Sequence, residues 1–83
     1  MDSRIALIGI IVKDKTNIDI VNDLLTEYGQ YIFGRMGVPY KQKNCNVISV
    51  AIDAPLTEIS ALSGKLGKLQ GITSKVLYAK QEE

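Results

Sequence analysis

The chain has 83 residues, of which 46% are hydrophobic, and its formal net charge is +1. This length suits one small domain over residues 1–83, and so high a hydrophobic fraction excludes a disordered chain. One Cys and no His exclude an internal disulfide and an all-cysteine zinc or iron–sulfur site, and we expect no metal and no cofactor.

The first apolar segment, residues 4–12, is rich in isoleucine and has no polar interruption. It predicts a central strand that is buried on both faces. The segment is far shorter than the about 20 residues that cross a bilayer, so we expect no association with a membrane. A lone reduced cysteine favours a cytoplasmic protein.

A helix is predicted next, because apolar residues recur at helical spacing over about residues 17–28. Thr16 and Asp19 resemble a capping box at its start. Gly29 follows the apolar stripe, where a helix often ends on a left-handed residue.

The second half of the chain is predicted to hold a hairpin, a helix and a last strand. Residues 30–39 are apolar but are interrupted by glycines, which predicts a bulged or bent strand. A polar turn over 40–44 leads to a third strand over 45–53. Pro55 suits the first turn of a second helix, and a final strand covers 72–79.

This element order predicts the split βαββαβ unit of the ferredoxin-like α+β folds. We expect a four-stranded antiparallel sheet with the first and third strands in the centre and both helices on one face. The other face needs an explanation, because the first strand is apolar on both sides. One side carries Ile5, Leu7 and Ile11; the other carries Ala6, Ile8, Ile10 and Val12. Such an apolar surface is typical of an interface, so we predict a homo-oligomer formed through sheet faces or sheet edges.

One arginine lies between glycines within the second predicted strand, in Gly34-Arg35-Met36-Gly37. An arginine can bind a carboxylate or a phosphate through two hydrogen bonds, and glycines allow a partner to approach closely. The alternative is an edge-strand arginine that protects against aggregation. Both interpretations stay open, and Arg35, Met36 and Gly37 are candidate ligand or interface residues.

The chain lacks a convincing set of catalytic groups, so we predict that it is not an enzyme. Cys45 has no His to act as its base and is better explained as a small residue that begins a strand. The segment 64–68 resembles a phosphate loop, but it ends a helix and lacks the required Ser or Thr. The central strands carry none of the aromatic residues with which RNA-recognition modules stack bases.

Three segments together resemble one small family: the apolar opening 5–12, GRMGVPY over 34–40 and SALSGKLG over 60–67. In these segments, and over about residues 4–80, the chain resembles the iron-only hydrogenase system regulators. The resemblance implies an ACT-like domain, similar to the C-terminal ligand-sensing domain of the nickel-responsive repressor. It also implies a link to the assembly or expression of iron-only hydrogenase.

The chain departs from the nickel-responsive repressor because it has no His, so nickel sensing is not carried over. A DNA-binding arm would need about 40 further residues, so we expect no direct nucleic-acid binding by this chain alone. We predict a regulatory ACT-like module, a dimer or tetramer that holds a small effector at a subunit interface. Ser63 and Gly64 are further candidate residues there. The alternative is a scaffold that binds a hydrogenase-related or transcriptional protein through an edge strand.

Overall fold

A computed structural model describes residues 2–80. It contains a four-stranded antiparallel sheet in the order β2-β3-β1-β4, with two helices packed on one face. The strands are β1 (Ser3–Val12), β2 (Ile32–Tyr40), β3 (Cys45–Pro55) and β4 (Ile72–Tyr78), and the helices are α1 (Ile18–Glu27) and α2 (Leu56–Gly67). The predicted α+β class and the central position of the first and third strands are confirmed.

The hydrophobic core lies between the sheet and the helices. Every second residue of β1 from Ala6 to Val12 is buried, as strand geometry dictates. Val21 and Leu25 of α1 close the core at helical spacing, and Leu62 is among the α2 residues that do the same. Burial of each large aliphatic side chain contributes about 1.5–3 kcal/mol, so this layer is the main source of stability. No helix within residues 2–80 is both long and apolar enough to span a bilayer.

The capping box predicted at Thr16 and Asp19 is wrong. Asp14 occupies the capping role instead, because its Oδ1 accepts hydrogen bonds from the Thr16 N–H at 3.0 Å and the Thr16 hydroxyl at 2.6 Å. Both hydrogen bonds lower the pKa of the Asp14 carboxyl, and the bond from the Thr16 hydroxyl has the larger effect. The reason is that both bonds favour the charged form of the carboxyl. A short 3₁₀ turn results, and α1 then begins without a side-chain cap from Asn17.

Left-handed backbone occurs elsewhere than the sequence predicts. Gly29 begins a short 3₁₀ turn after α1 and has no positive φ. Positive φ angles within the described residues occur at Asn44 (52°), in the β2–β3 hairpin, and at Gly71 (78°), just before β4. Pro55 ends β3 and precedes α2, rather than lying in its first turn.

Strand β2 contains the bulge that its glycines predict. The register with β3 shifts between Ile32 and Gly34, which leaves Phe33 as the extra residue. From Gly34 onward the pairing is regular, and Gly37 lies opposite Ile48 without a second bulge.

Candidate functional site

The candidate residues of β2 lie on opposite faces of the sheet. Arg35 pairs with Val50 and Gly37 with Ile48, and both partners are buried beneath the helices. Met36 pairs with Ser49 and is 57% exposed on the face without helices. The structure therefore divides this segment between a groove on the helix side and an open sheet face.

The groove lies between α1 and the edge strand β2 and has a volume of about 230 Å³. Its apolar wall comes from Ile18 of α1 and from Pro39 and Ile48 of the sheet. Val38 also borders the groove, but its side chain belongs to the open face, because it pairs with Val47. Its polar groups are the side chains of Arg35, Asn22 and Asn46. A Cβ at Gly37 would meet no atom within 4 Å, so the missing side chain leaves the floor of the groove open.

The guanidinium of Arg35 is held by one contact with α1. Its Nη2 donates a hydrogen bond to Oδ1 of Asn22 at 2.6 Å. A guanidinium carries five N–H donors, so four are left for other acceptors. Within residues 2–80, no acidic side chain forms an ion pair with Arg35. The structure therefore presents an oriented, exposed cation beside apolar surface.

The open face of the sheet is apolar over most of its area. Its exposed hydrophobic side chains come from all four strands, in alternation with the core. They are Ile5, Leu7 and Ile11 of β1, Met36, Val38 and Tyr40 of β2, Val47 of β3 and Leu77 of β4. The two-sided burial predicted for the first strand is therefore not achieved within one chain, since Leu7 is 44% exposed.

The middle of the open face is flat. Gly9 lies at the centre of β1, between Ser49 of β3 and Lys75 of β4. A Cβ at Gly9 would meet no atom within 4 Å, so the fold itself does not require glycine here. Asp53 and Lys75 are the charged positions of this face in the described strands, and their charges are opposite.

The other two candidate residues, Ser63 and Gly64, lie away from both surfaces, whereas Cys45 lies opposite Tyr40 at the edge of the open face. Ser63 and Gly64 belong to α2, and neither lines the groove. Cys45 is a half-buried free thiol at the start of β3. Within residues 2–80, no three His, Cys, Asp or Glu side chains form a group suited to a metal ion.

Sequence reasoning missed Asn22, which orients Arg35. The two residues are 13 positions apart, and their contact depends on how α1 packs over β2. Asn22 lies beside the apolar stripe of α1. A polar residue at the edge of a packing face is a candidate partner for a polar group of the sheet, and this was the signal that the sequence offered.

Comparisons with known proteins identify the family. The model of the TM1266-like family, described as "Iron-only hydrogenase system regulator, putative", matches residues 4–76. The chain belongs to this family. The structure of TM1266 from Thermotoga maritima is similar, with a TM-score of 0.91 and 30% sequence identity over 95% of this chain and 100% of that one. A comparison with curated protein sequences gives no match.

More distant structures share the ferredoxin-like fold alone. A formyltetrahydrofolate deformylase from Pseudomonas putida gives a TM-score of 0.65 at 15% identity, over 92% of this chain and 29% of the enzyme. CPII, a nitrogen regulatory PII-like protein from Thiomonas intermedia bound to ADP, AMP and bicarbonate, gives 0.57 at 12% identity. The latter match covers 96% of this chain and 100% of CPII.

Proposed function

We propose that this member of the hydrogenase-regulator family is a non-enzymatic, cytoplasmic regulatory module that works as a homo-oligomer. A small effector, bound in the groove between α1 and β2, would change the balance between its assembly states. The observation that carries the proposal is the open apolar face. The nucleotide-bound CPII shows that a nitrogen regulatory protein with this fold binds small ligands, which supports the effector.

The size of the open face fits a second copy of the chain. Four strands spaced about 4.8 Å apart, with about nine residues rising about 3.3 Å each, make a face of about 19 Å by 30 Å. This projected area, on the order of 570 Å², grows when the relief of the side chains is included. A standard interface removes about 800 Å² from each partner. The face therefore reaches the lower range of stable interfaces.

The charges of the open face also fit a second copy. In a two-fold dimer the same patch meets itself. A contact between two different residues across the interface is therefore repeated by the symmetry, with the roles of the two copies exchanged. Lys75 of one copy can then meet Asp53 of the other, and the reverse pair forms as well. A face with one cation and one anion is self-complementary, whereas a patch of one sign would repel its copy.

A charge placed at the centre of the open face tests this proposal. Leu7 lies opposite Ala51 and Leu77, and Leu7→Glu would bury an unpaired carboxylate in the oligomer at a cost of several kcal/mol. Ile20→Glu is the matched control, because Ile20 of α1 and Leu7 are both 44% exposed. Light scattering coupled to size exclusion, at about 10–100 μM, measures the subunit count.

We expect an oligomer for the unmodified chain and for Ile20→Glu, and a folded monomer for Leu7→Glu. A monomeric unmodified chain, or a Leu7→Glu oligomer of unchanged size, would contradict the proposal. Circular dichroism of each variant confirms that the monomer is folded.

A protein-binding scaffold is the second candidate function, and edge strand β2 favours it. Phe33, Val38 and Tyr40 of this strand are exposed, and β2 pairs with β3 alone in the sheet. An extended segment of a partner can add to such an edge through main-chain hydrogen bonds. If the light-scattering experiment shows that the unmodified chain is a monomer, the result would favour the scaffold over the homo-oligomer.

A further inference from the structure

The groove between α1 and β2 combines one cation with mostly apolar walls. Arg35 is its charged residue, and Asp19 and Asp23 of α1 do not line it. Small-ligand sites typically have this composition, with apolar walls and a few polar groups that set the orientation of the ligand. The volume of about 230 Å³ suits a ligand of modest size.

We infer that this groove binds a small monocarboxylate with a short aliphatic tail. The guanidinium of Arg35 holds the carboxylate, and the tail lies along the apolar wall formed by Ile18 and Pro39. The planar fork of an arginine matches a carboxylate with two parallel hydrogen bonds. The inference deepens the proposed function, because it names the chemical class of the effector.

The same features disfavour a phosphate group. A phosphate carries up to two negative charges and three strong acceptor oxygens, and it is normally held by several cations or by a row of backbone N–H groups. The groove offers one cation, and its other polar side chains are the neutral amides of Asn22 and Asn46. The single positive charge of Arg35 balances the single negative charge of a carboxylate. An aliphatic tail on the ligand would bury the apolar wall of the groove, which favours binding.

Asn22 acts as a positioning residue. Its Oδ1 accepts from Nη2 of Arg35 at 2.6 Å, which fixes the plane of the guanidinium before a ligand arrives. An oriented donor loses less conformational freedom on binding. Because Oδ1 faces Arg35, the amide Nδ2 stays free to donate to the same carboxylate.

Gly37 keeps the groove open. A Cβ there would meet nothing within 4 Å, and the residue lies in a regular part of β2 without a positive φ. Gly37→Val therefore suits the strand, its Cβ has room, and its methyl groups occupy the groove.

Nuclear magnetic resonance titration of the ¹⁵N-labelled full chain tests the inference. The probes are propionate, isovalerate and hexanoate, at constant ionic strength set by chloride, with isovaleramide as the uncharged analogue and inorganic phosphate as the competing anion. We expect saturable shifts of the Gly37 amide and the Arg35 side chain with at least one carboxylate. Isovaleramide should bind at least tenfold more weakly than isovalerate.

Three variants and one control locate the site. Arg35→Met removes the cation, Gly37→Val fills the space, and Asn22→Asp supplies an internal carboxylate that competes for the guanidinium. Each should weaken carboxylate binding at least tenfold. Lys68→Met removes one positive charge after α2, outside the groove, and should leave the affinity within twofold.

Three outcomes would overturn the inference: no saturable shift up to about 50 mM of any carboxylate, tighter binding of phosphate, or equal loss in Lys68→Met. The subunit count is measured separately by light scattering. Carboxylate binding to a monomeric chain would thus refute the proposed assembly and support the proposed class of ligand. An oligomer that binds no carboxylate would support the assembly and refute the class of ligand.

Discussion

Replacement of Gly71 by alanine should destabilise the fold strongly. Its φ of 78° costs a residue with a side chain about 1–2 kcal/mol. The new Cβ would also overlap the Cβ of Asp14 and lie 3.0 Å from its backbone N. The turn must then move, which weakens the bond from Lys13 N–H to Gly71 O at 2.8 Å and the bond from Asn17 Nδ2 to Gln70 O at 2.6 Å. Each such bond contributes about 0.5–1.5 kcal/mol.

These terms add to a loss of about 2–5 kcal/mol for Gly71→Ala, a large part of the about 5–15 kcal/mol that stabilises a domain. For a chain of this size the melting temperature should fall by about 8–40 °C. Urea denaturation followed by circular dichroism measures the free energy of unfolding. Gly64→Ala is the control: it lies within α2, its Cβ meets no atom within 4 Å, and it should gain about 0.5–1 kcal/mol. A Gly71→Ala variant within about 0.5 kcal/mol of the unmodified chain would refute this account of the turn.

Three further substitutions test the packing and the turn. Leu62→Ala removes a fully buried side chain of α2 and should cost about 2–5 kcal/mol of unfolding free energy, measured in urea; a loss below about 1 kcal/mol would contradict its place in the core. Phe33→Ser changes a bulge residue that is 65% exposed, and chemical denaturation should show a change within about 0.5 kcal/mol. Hydrogen bonds from Thr16 lower the pKa of Asp14, so the folded chain binds fewer protons there than the unfolded chain. The stability from this group is present above about pH 4 and is lost as the pH falls through the lowered pKa. In Asp14→Asn the free energy of unfolding should fall less steeply as the pH is lowered. An unchanged acid side of the stability–pH profile would show that the Asp14 turn does not cause this loss of stability.

The element order and the open face follow from patterns that a sequence displays directly. The alternation in β1 separates Leu7 from Ile8 whatever the tertiary structure, because successive strand residues point to opposite faces. One of these sides packs against the two helices. The second side is equally apolar, and the short connections of the chain leave no further element to pack against it. The apolar open face could therefore be predicted without coordinates.

The cap before α1 and the details of the candidate site depend on competition between groups and could not be predicted in this way. Asp14 and Thr16 can both cap the start of a helix, and the turn after β1 decides between them. The face on which Arg35 lies depends on the extra residue at Phe33, because a shift by one position reverses every later side chain of a strand. The partner of Arg35 depends on the packing of α1 over β2, which leaves no signature in local spacing.

The edge strand β2 connects the two surfaces on which the proposed function depends. Arg35 faces the groove and its neighbour Met36 faces the open side, so one short strand borders both. A ligand that orders the backbone at Arg35 would also restrict Met36 and Val38, and a second copy then loses less freedom when it covers them. This coupling is reciprocal: if ligand binding tightens the assembly tenfold, assembly must tighten ligand binding tenfold. An edge strand suits this role because it is held on one side alone, which leaves its conformation open to influence from both faces.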